Sequence, residues 1–119
     1  MKLPIKVKYA IQALIEIAHA DNRAKCEDIS KKRQIPVKYL EMILCELRKR
    51  DWIFSKRGPH GGHKLAVPLD NIRLGTLIQS LSVPIDFGSD YEILDKLTHK
   101  ANLMFNEISV RDFWVEETA

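Results

Sequence analysis

The chain has 119 residues, 45% of them apolar and 29% charged, which is the composition of about one ordinary soluble domain. No apolar run approaches the ~20 residues of a membrane span and no signal-peptide pattern is present, so we expect a cytoplasmic protein without a membrane partner. The net charge of +3 divides unevenly: residues 1–75 carry 16 Lys and Arg against 8 Asp and Glu and residues 76–119 carry 3 against 8, which argues against a chain that coats nucleic acid throughout.

The first predicted helix covers residues 5–20, where apolar side chains recur at three- and four-residue spacing. Ile11 and Ile15 widen the apolar arc of this helix. A stripe of that width indicates a helix that is covered from two directions, by its own domain and by another element or subunit. We therefore predict that Ile11 and Ile15 belong to a dimer interface.

Residues 26–50 are predicted to form a helix-turn-helix. The run CEDISKKR at 26–33 is a short helix, and Pro36 ends it by disfavouring a helical conformation at the residue before it. The basic residues at the end of this helix suit either its C-terminus or a DNA backbone. The run VKYLEMILCELRKR at 37–50 has one apolar stripe, formed by Leu40, Ile43, Leu44 and Leu47. Its opposite face carries Lys38, Glu41, Met42, Cys45 and Lys49.

Residues 52–67 are predicted to form a β-hairpin with a flexible, basic tip. WIFSKR is rich in strand formers, GPHGG is incompatible with regular structure, and HKLAV resumes a strand. Helix, turn, helix and basic hairpin, in that order, are typical of a winged helix, which lays its second helix in a major groove while the wing contacts the DNA backbone. The predicted fold class is therefore mainly α with a small β-hairpin wing.

The last third of the chain is predicted to hold two more helices. LGTLIQSLS, from Leu74, is a short helix that caps the winged domain, and the chain turns at 83–89. A longer helix between residues 91 and 108 has a seam that suits lengthwise packing on another helix, formed by Leu94, Leu97, Ala101, Met104 and Ile108. We predict a dimerisation helix, with an intramolecular core helix as the alternative. The predicted division is a winged helix-turn-helix DNA-binding domain at 1–83 and a dimerisation helix with a C-terminal tail at 84–119.

Four segments together resemble the Rrf-type family of bacterial winged-helix transcription regulators. They are MKLPIKVKYAIQAL, VKYLE, LRKRDWIFSKRGPHGGHKLA and IRLGTLIQSL, in register over roughly residues 1–83. The resemblance implies a homodimer that binds a pseudo-palindromic operator in double-stranded DNA. It also implies that Lys38, Tyr39 and Glu41 contact DNA from the start of the recognition helix.

The chemistry of these three residues suits DNA. Lys38 can neutralise a phosphate or contact guanine acceptors, Tyr39 can donate its hydroxyl to a phosphate, and Glu41 can accept from a cytosine amino group. Each of the last two has an alternative role. Glu41 is also a first-turn acid that stabilises a helix N-terminus, and Tyr39 can pack against its own domain.

The predicted wing carries its own candidate DNA contacts. Arg57 matches the wing arginine of the family, and its planar guanidinium suits a phosphate or a narrow minor groove. Lys64 adds sequence-independent attraction, and His63 is expected to be a packing or phosphate-contacting ring. Glycines let the backbone approach the duplex, at Gly58, Gly61 and Gly62. His60 and His63 have no nearby Cys, Asp or Glu, so no metal site is predicted.

The chain departs from the family at its cysteines and at two turns. Many family members hold an iron-sulfur cluster through three cysteines between the capping helix and the long helix, whereas this chain has only Cys26 and Cys45. We therefore predict no cofactor, and another input instead: a small-molecule or protein co-regulator, or oxidation of Cys45 or Cys26. Cys45 is the candidate thiol sensor, with a small residue that fits a helix surface as its alternative. Gln34 and Asp51 stand where the family often places Gly for a left-handed backbone.

Two other classes of function bear on the prediction of a transcription regulator. The alternative is a protein-interaction or structural dimer that keeps the fold but has lost specific DNA binding. The retained cations at Lys38, Arg57 and Lys64 argue against it, because a surface freed from phosphate has no evident need for them. An enzyme is not predicted, because no motif places a nucleophile, a base and an orienting group together.

Overall fold

The computed structural model describes residues 3–20, 22–81 and 90–119. Its elements are α1 (Ile5–His19), α2 (Cys26–Arg33), α3 (Val37–Lys49), β1 (Ile53–Lys56), β2 (Gly62–Leu65), α4 (Leu74–Ser80), α5 (Glu92–Phe105) and α6 (Val110–Thr118), with a short 3-10 turn at Leu69–Asn71. This order confirms the mainly α fold with a hairpin wing. The turn predicted at 83–89 and the predicted boundary between 83 and 84 lie outside the described residues. Within the described ranges, none of the helices is both long enough and apolar enough to cross a bilayer.

Helix α1 lies at the centre of the hydrophobic core. It contacts α2, α3, β2 and α6, so neighbours cover it on several sides. Ile11 is 4% exposed and Ile15 is fully buried within a single chain. Their burial therefore needs no second subunit, and their assignment to a dimer interface stays a prediction.

The turn between α2 and α3 is left-handed. Gln34 has φ 56° and ψ 49°, and its N–H donates to the carbonyl oxygen of Ser30. The N–H of Ile35 donates to the same oxygen at 3.1 Å. The Ser30 hydroxyl in turn donates to the carbonyl oxygen of Ile35, whose side chain is 2% exposed. A closed set of hydrogen bonds and one buried isoleucine thus fix the direction in which α3 leaves the turn.

Helix α3 packs on the core as its sequence pattern predicts. Its buried residues are Leu40, Ile43, Leu44 and Leu47. The helix is followed by a second left-handed residue, Asp51, with φ 59°. Gln34 and Asp51 thus adopt the backbone conformation that glycine favours, at the two positions where the family often has glycine.

An ion-pair network joins α1, α2 and α6. The Glu16 carboxylate lies 2.9 Å from Lys32 Nζ and 2.8 Å from Arg33 Nε, and Arg33 Nη2 lies 2.7 Å from Glu117 Oε1. Burial of the Glu16 carboxyl acts to raise its pKa, but the hydrogen bonds from Lys32 and Arg33 outweigh burial and lower the pKa below its ordinary value. In the folded chain Lys32 and Arg33 therefore pair with carboxylates of the domain itself. The sequence alone was equally compatible with a contact from these cations to a DNA backbone.

The predicted single helix from residue 91 to residue 108 is wrong at its C-terminal end. Helix α5 ends at Phe105, and Ile108 lies in the connection to α6. The N–H of Leu74 donates to the carbonyl oxygen of Ile108 at 2.8 Å, which holds the chain in an extended conformation there. Ser109 and Asp112 then form a capping box that starts α6.

The end of the chain returns to the core. Helix α6 packs against α1 and the 3-10 turn, and Val110 is fully buried. The N–H of Val110 donates to the carbonyl oxygen of Ile72 at 3.0 Å. The segment predicted as a tail is therefore a helix that shares the core of the amino-terminal elements, whereas no residue of α5 is fully buried.

Replacing Gln34 by Gly should stabilise the protein. Its exposed side chain leaves no packing to lose, and a left-handed backbone costs a residue with a Cβ roughly 1 kcal/mol more than it costs glycine. We expect the free energy of unfolding in urea to rise by about 0.5–1 kcal/mol. The same change at Gln79, which is exposed within α4, should lower it by a similar amount, because glycine weakens a helix. A loss of stability in Gln34→Gly would contradict this explanation of the turn.

The Glu16 network should make stability depend on pH. Because the pKa of Glu16 is lowered in the folded chain, its contribution is complete above the ordinary glutamate pKa of about 4.3 and is lost as the pH falls through the lowered value. Glu16→Gln should therefore cost about 1–2 kcal/mol at neutral pH, measured by urea unfolding, and progressively less under acid. Glu116→Gln, at an exposed position of α6, is the control and should change little. A Glu16→Gln deficit that stays constant down to the lowest pH would refute the assignment.

Candidate DNA-binding surface

The outer face of α3 is free of the core and carries the side chains predicted to contact DNA. Lys38, Glu41 and Lys49 are exposed, as is Met42 at 46%. Cys45 is half-buried on the same face. The core holds the inner face of the helix rigidly, so these side chains are presented along one line. That presentation suits insertion into a major groove.

Tyr39 occupies a different position from its neighbours. Its ring is half-buried and meets the ring of Tyr9 edge to face, with centroids 5.7 Å apart. This geometry stabilises the contact between α1 and α3. Packing, the alternative role for Tyr39, therefore accounts for its ring, and a contact from its hydroxyl to DNA stays a prediction.

The wing is fastened to the rest of the domain by a third extended segment. Strands β1 and β2 pair antiparallel, with Ser55 opposite His63 and Phe54 opposite Lys64. On its other edge His63 pairs with Ala24, whose N–H donates to the His63 carbonyl oxygen at 2.9 Å and whose carbonyl oxygen accepts from the His63 N–H at 2.7 Å. The base of the wing therefore has a fixed position beside the start of α2.

The backbone conformation and packing of the hairpin explain the glycines of the wing. Gly58, at the tip, has φ 104° and open space around it. A Cβ at Gly61 would collide with the carbonyl oxygen of Lys56, and one at Gly62, where φ is 133°, would lie 2.8 Å from the carbonyl oxygen of Ala24. Gly61 and Gly62 are thus required by the packing of the hairpin itself. A close approach of these glycines to DNA stays a prediction.

An open groove runs between the wing on one side and α2 and α3 on the other. Its cationic side chains come from Lys25, Arg48, Lys56 and Arg57, and its carboxylates from Glu27 and Glu41. The groove thus brings together Glu41, Arg57, His63 and the three wing glycines, which the sequence predicted as separate contacts. Lys64 points away from it, because it lies opposite the exposed Phe54 on the outer face of the hairpin.

His63 lies at the base of this groove. Its Nδ1 is 2.6 Å from the hydroxyl oxygen of Ser55, the residue opposite it in the hairpin. Burial lowers the pKa of His63, and the positive charges of Arg48 and Arg23 lower it further. The ring is therefore neutral at physiological pH and lies in a positive local potential.

The two cysteines have different surroundings. Cys26 lines the groove, and burial, followed by the charges of Glu41 and Glu27, raises the pKa of its thiol. A raised thiol pKa lowers the thiolate fraction and thus the reactivity. Cys45 Sγ lies 3.6 Å from Arg48 Nη2 on α3. Its role as a thiol sensor stays a prediction.

A second exposed surface lies on α5. No residue of α5 is fully buried, and its half-buried side, with Leu94 and Ala101, faces α4. The rest of the predicted seam is open, since Leu97 is 46% exposed and Met104 67%. Ile93, at 72% exposed, lies beside them and extends the stripe in a way that the heptad spacing did not include.

Comparison with known proteins places the chain in a family. A family model described as "Rrf2: Iron-dependent Transcriptional regulator" matches residues 3–111. The chain belongs to the Rrf2 family. The match confirms the resemblance seen in the sequence, and it extends through α5 into α6.

Rrf2 relatives and solved structures agree with this assignment. The chain is 36% identical over 88 residues to the "HTH-type transcriptional regulator IscR" of Vibrio campbellii, covering 72% of this chain and 52% of that protein. It is 38% identical over 84 residues to a "Putative HTH-type transcriptional regulator" of Haemophilus influenzae, covering 69% and 56%. The chain thus spans about half the length of these curated relatives.

Two solved structures share the fold over nearly the whole chain. The structure of CymR, "the Global Cysteine Regulator of B. subtilis", superposes with a TM-score of 0.76 at 23% identity and covers 95% of both chains. The structure of "T. potens IscR" superposes with a TM-score of 0.77 at 25% identity, covering 98% of this chain and 88% of that one. These neighbours support the winged-helix architecture.

The family description mentions iron, but the cysteines of this chain do not match the ligands of an iron-sulfur cluster. Clusters of the type found in the Rrf2 family are held by cysteine thiolates, and this chain has two cysteines, one on α2 and one on α3. Neither lies between α4 and α5. Within the described residues, no group of three or more His, Cys, Asp and Glu side chains is placed to hold a metal ion. The residues present therefore do not fit a cluster held by three cysteines of one chain.

Proposed function

We propose that this protein is a sequence-specific DNA-binding transcription regulator that acts in the cytoplasm as a homodimer on a pseudo-palindromic operator. The observation that carries the proposal is the exposed face of α3 beside a cationic groove and a fixed wing. Winged-helix proteins that bind duplex DNA use such a helix face and wing to contact the major groove and the backbone. The relatives described above are named as HTH-type transcriptional regulators, which supports it.

The proposed dimer uses two apolar surfaces that the described part of one chain leaves open. One is the stripe of Ile93, Leu97 and Met104 on α5, and the other is a groove between α1 and α6 that includes Ile5 and Phe113. A second copy supplies the missing partner for each surface, because the α5 stripe of one subunit can lie in the α1–α6 groove of the other. Two-fold symmetry would then present two recognition helices about 34 Å apart.

The proposed regulator carries no iron-sulfur cluster of its own, so its activity needs another input. Two observations support this view. The chain has two cysteines, fewer than the three that hold such a cluster, and the raised pKa of Cys26 favours the protonated thiol over the thiolate that binds iron. A small molecule, a protein co-regulator or oxidation of Cys45 are the inputs that we consider. Any of them must bind or modify the DNA-competent and DNA-incompetent dimers unequally.

The alternative is a structural or protein-interaction dimer that has lost specific DNA binding. It predicts a dimer without a preferred DNA sequence. The exposed cations on α3 and the wing favour the regulator, because Arg57 has no acidic partner within the described residues.

Genomic DNA selection with purified protein tests the DNA-binding proposal. Fragments retained at two salt concentrations should share a pseudo-palindrome. Arg57→Ala should lower the affinity for that site and reduce the salt slope by about one unit for each phosphate that Arg57 neutralises. Arg111→Ala, which removes an exposed arginine of α6, is the matched control and should bind normally. Retention without a common site, at low salt only, would favour the structural dimer.

The dimer proposal predicts a difference between two neighbouring residues of α5. Met104→Asp should place a carboxylate in the apolar interface and weaken dimerisation at least about a hundredfold, as measured by sedimentation equilibrium. Leu103→Asp changes a residue that is 56% exposed on another face of the helix and should leave the dimer intact. A monomeric wild-type protein, or equal effects of the two substitutions, would contradict the proposed interface.

A further inference from the structure

On the wall of the groove, the guanidinium of Arg48 is a cation that no carboxylate of the described residues pairs with. The ion pairs of the described residues engage other cations, on Lys6, Lys32, Arg33, Lys96 and Arg111. Arg23 and Arg50 instead lie over the rings of Phe54 and Trp52. Within the described chain Arg48 donates a hydrogen bond to the Cys45 sulfur at 3.6 Å. Since thiol sulfur is a weak acceptor, the planar donors of Arg48 remain available to a stronger one.

A rigid pair of polar side chains faces Arg48 from the wing. Ser55 and His63 are cross-strand neighbours, and Ser55 Oγ lies 2.6 Å from His63 Nδ1. Both residues line the same groove as Arg48. The backbone of His63 is held on both edges, by β1 and by Ala24. The pair therefore has little conformational freedom to lose when a ligand binds.

The charge of the groove favours an anion. Four cations and two carboxylates line it, and Lys25 also donates to the carbonyl oxygen of Pro59 at 3.3 Å, which ties the wing tip across the groove. An arginine fork beside a hydroxyl and an imidazole is well suited to the tetrahedral oxygens of a phosphate. The groove is open along its length, so it can accept a phosphate that is part of a chain.

We propose that Arg48, together with the Ser55–His63 pair, binds a backbone phosphate of duplex DNA in the groove between α3 and the wing. The inference rests on the proposed function, since it assumes that α3 and the wing contact the same duplex. A strand whose bases face α3 and whose backbone meets the wing passes between the two. Arg48 then fixes the depth and register of α3, whereas residues on its outer face contact the bases.

DNA binding should also take up a proton at His63. The groups that face its ring are Arg48 from α3, Arg23 from the segment before α2 and Ser55 from β1, with Glu27 and Glu41 elsewhere on the groove wall. In the free protein this environment holds the pKa of His63 below its ordinary value. A phosphate brings negative charge beside the ring and raises that pKa, so affinity should increase as the pH is lowered.

The test is fluorescence anisotropy with a labelled mixed-sequence duplex of about 30 base pairs, titrated from about 50 to 200 mM salt. Arg48→Ala should weaken binding about tenfold at the lower salt and reduce the salt slope by about 0.9, the value for one phosphate left without its cation. Arg48→Lys should restore the slope, because the charge is retained, without the full affinity. Arg111→Ala is the control outside the groove, and Arg57→Ala is the reference for the wing.

The outcomes separate this inference from the proposed function. If wild-type protein binds, and Arg57→Ala weakens binding while Arg48→Ala behaves like Arg111→Ala, the Arg48 site is overturned and the proposed function stands. If wild-type protein does not bind the duplex even at the lower salt, both are overturned. NMR titration of the His63 ring, without and with the duplex, tests the proton uptake. A pKa that does not rise in the complex removes His63 from the phosphate site.

Discussion

The left-handed backbone at Gln34 positions the recognition helix α3 relative to α2. It reverses the chain between α2 and α3 within a few residues, and the bonds around Ser30 allow a single arrangement of that turn. The buried Ile35 then sets how deeply α3 sits on the core. These bonds set the direction of α3. The turn therefore positions the outer face of α3, although no side chain of the turn is part of that face.

The position of the wing depends on α3 and on the segment before α2 together. Asp51 turns the chain out of α3, and the pairing of His63 with Ala24 returns it to the body of the domain. The groove is the space enclosed by these two attachments. Its width is therefore set by backbone hydrogen bonds and by the bond from Lys25 to Pro59, while its charge comes from side chains of the wing, α3 and the start of α2. Such a division suits a surface that must fit a polymer of regular geometry.

The two carboxyl-terminal helices, α5 and α6, differ in how they contact the core. Helix α6 completes the core beneath α1, and through Glu117 and Arg33 it is linked to the end of α2. Helix α5 contributes little to that core and presents apolar side chains to solvent. Exposed apolar stripes of this kind on a small domain usually mark an interaction surface. Residues 76–119 carry 3 Lys and Arg against 8 Asp and Glu, so this part of the chain adds no net positive charge to that of the groove.

Local sequence patterns predict α1 to α4, the hairpin and the buried face of α3, because helical periodicity, Pro36 and the wing glycines act over a few residues. The resemblance also identified Gln34 and Asp51 as departures from positions where the family often places glycine, and both residues are left-handed in the structure. The tertiary structure, in contrast, sets where α5 ends, since the backbone of Ile108 bonds to Leu74, far away in the sequence. It likewise decided that Lys32 and Arg33 bind Glu16, that Ile15 is covered within one chain, and that Arg48 faces the wing. Each of these facts depends on a partner remote in sequence, which local spacing does not specify.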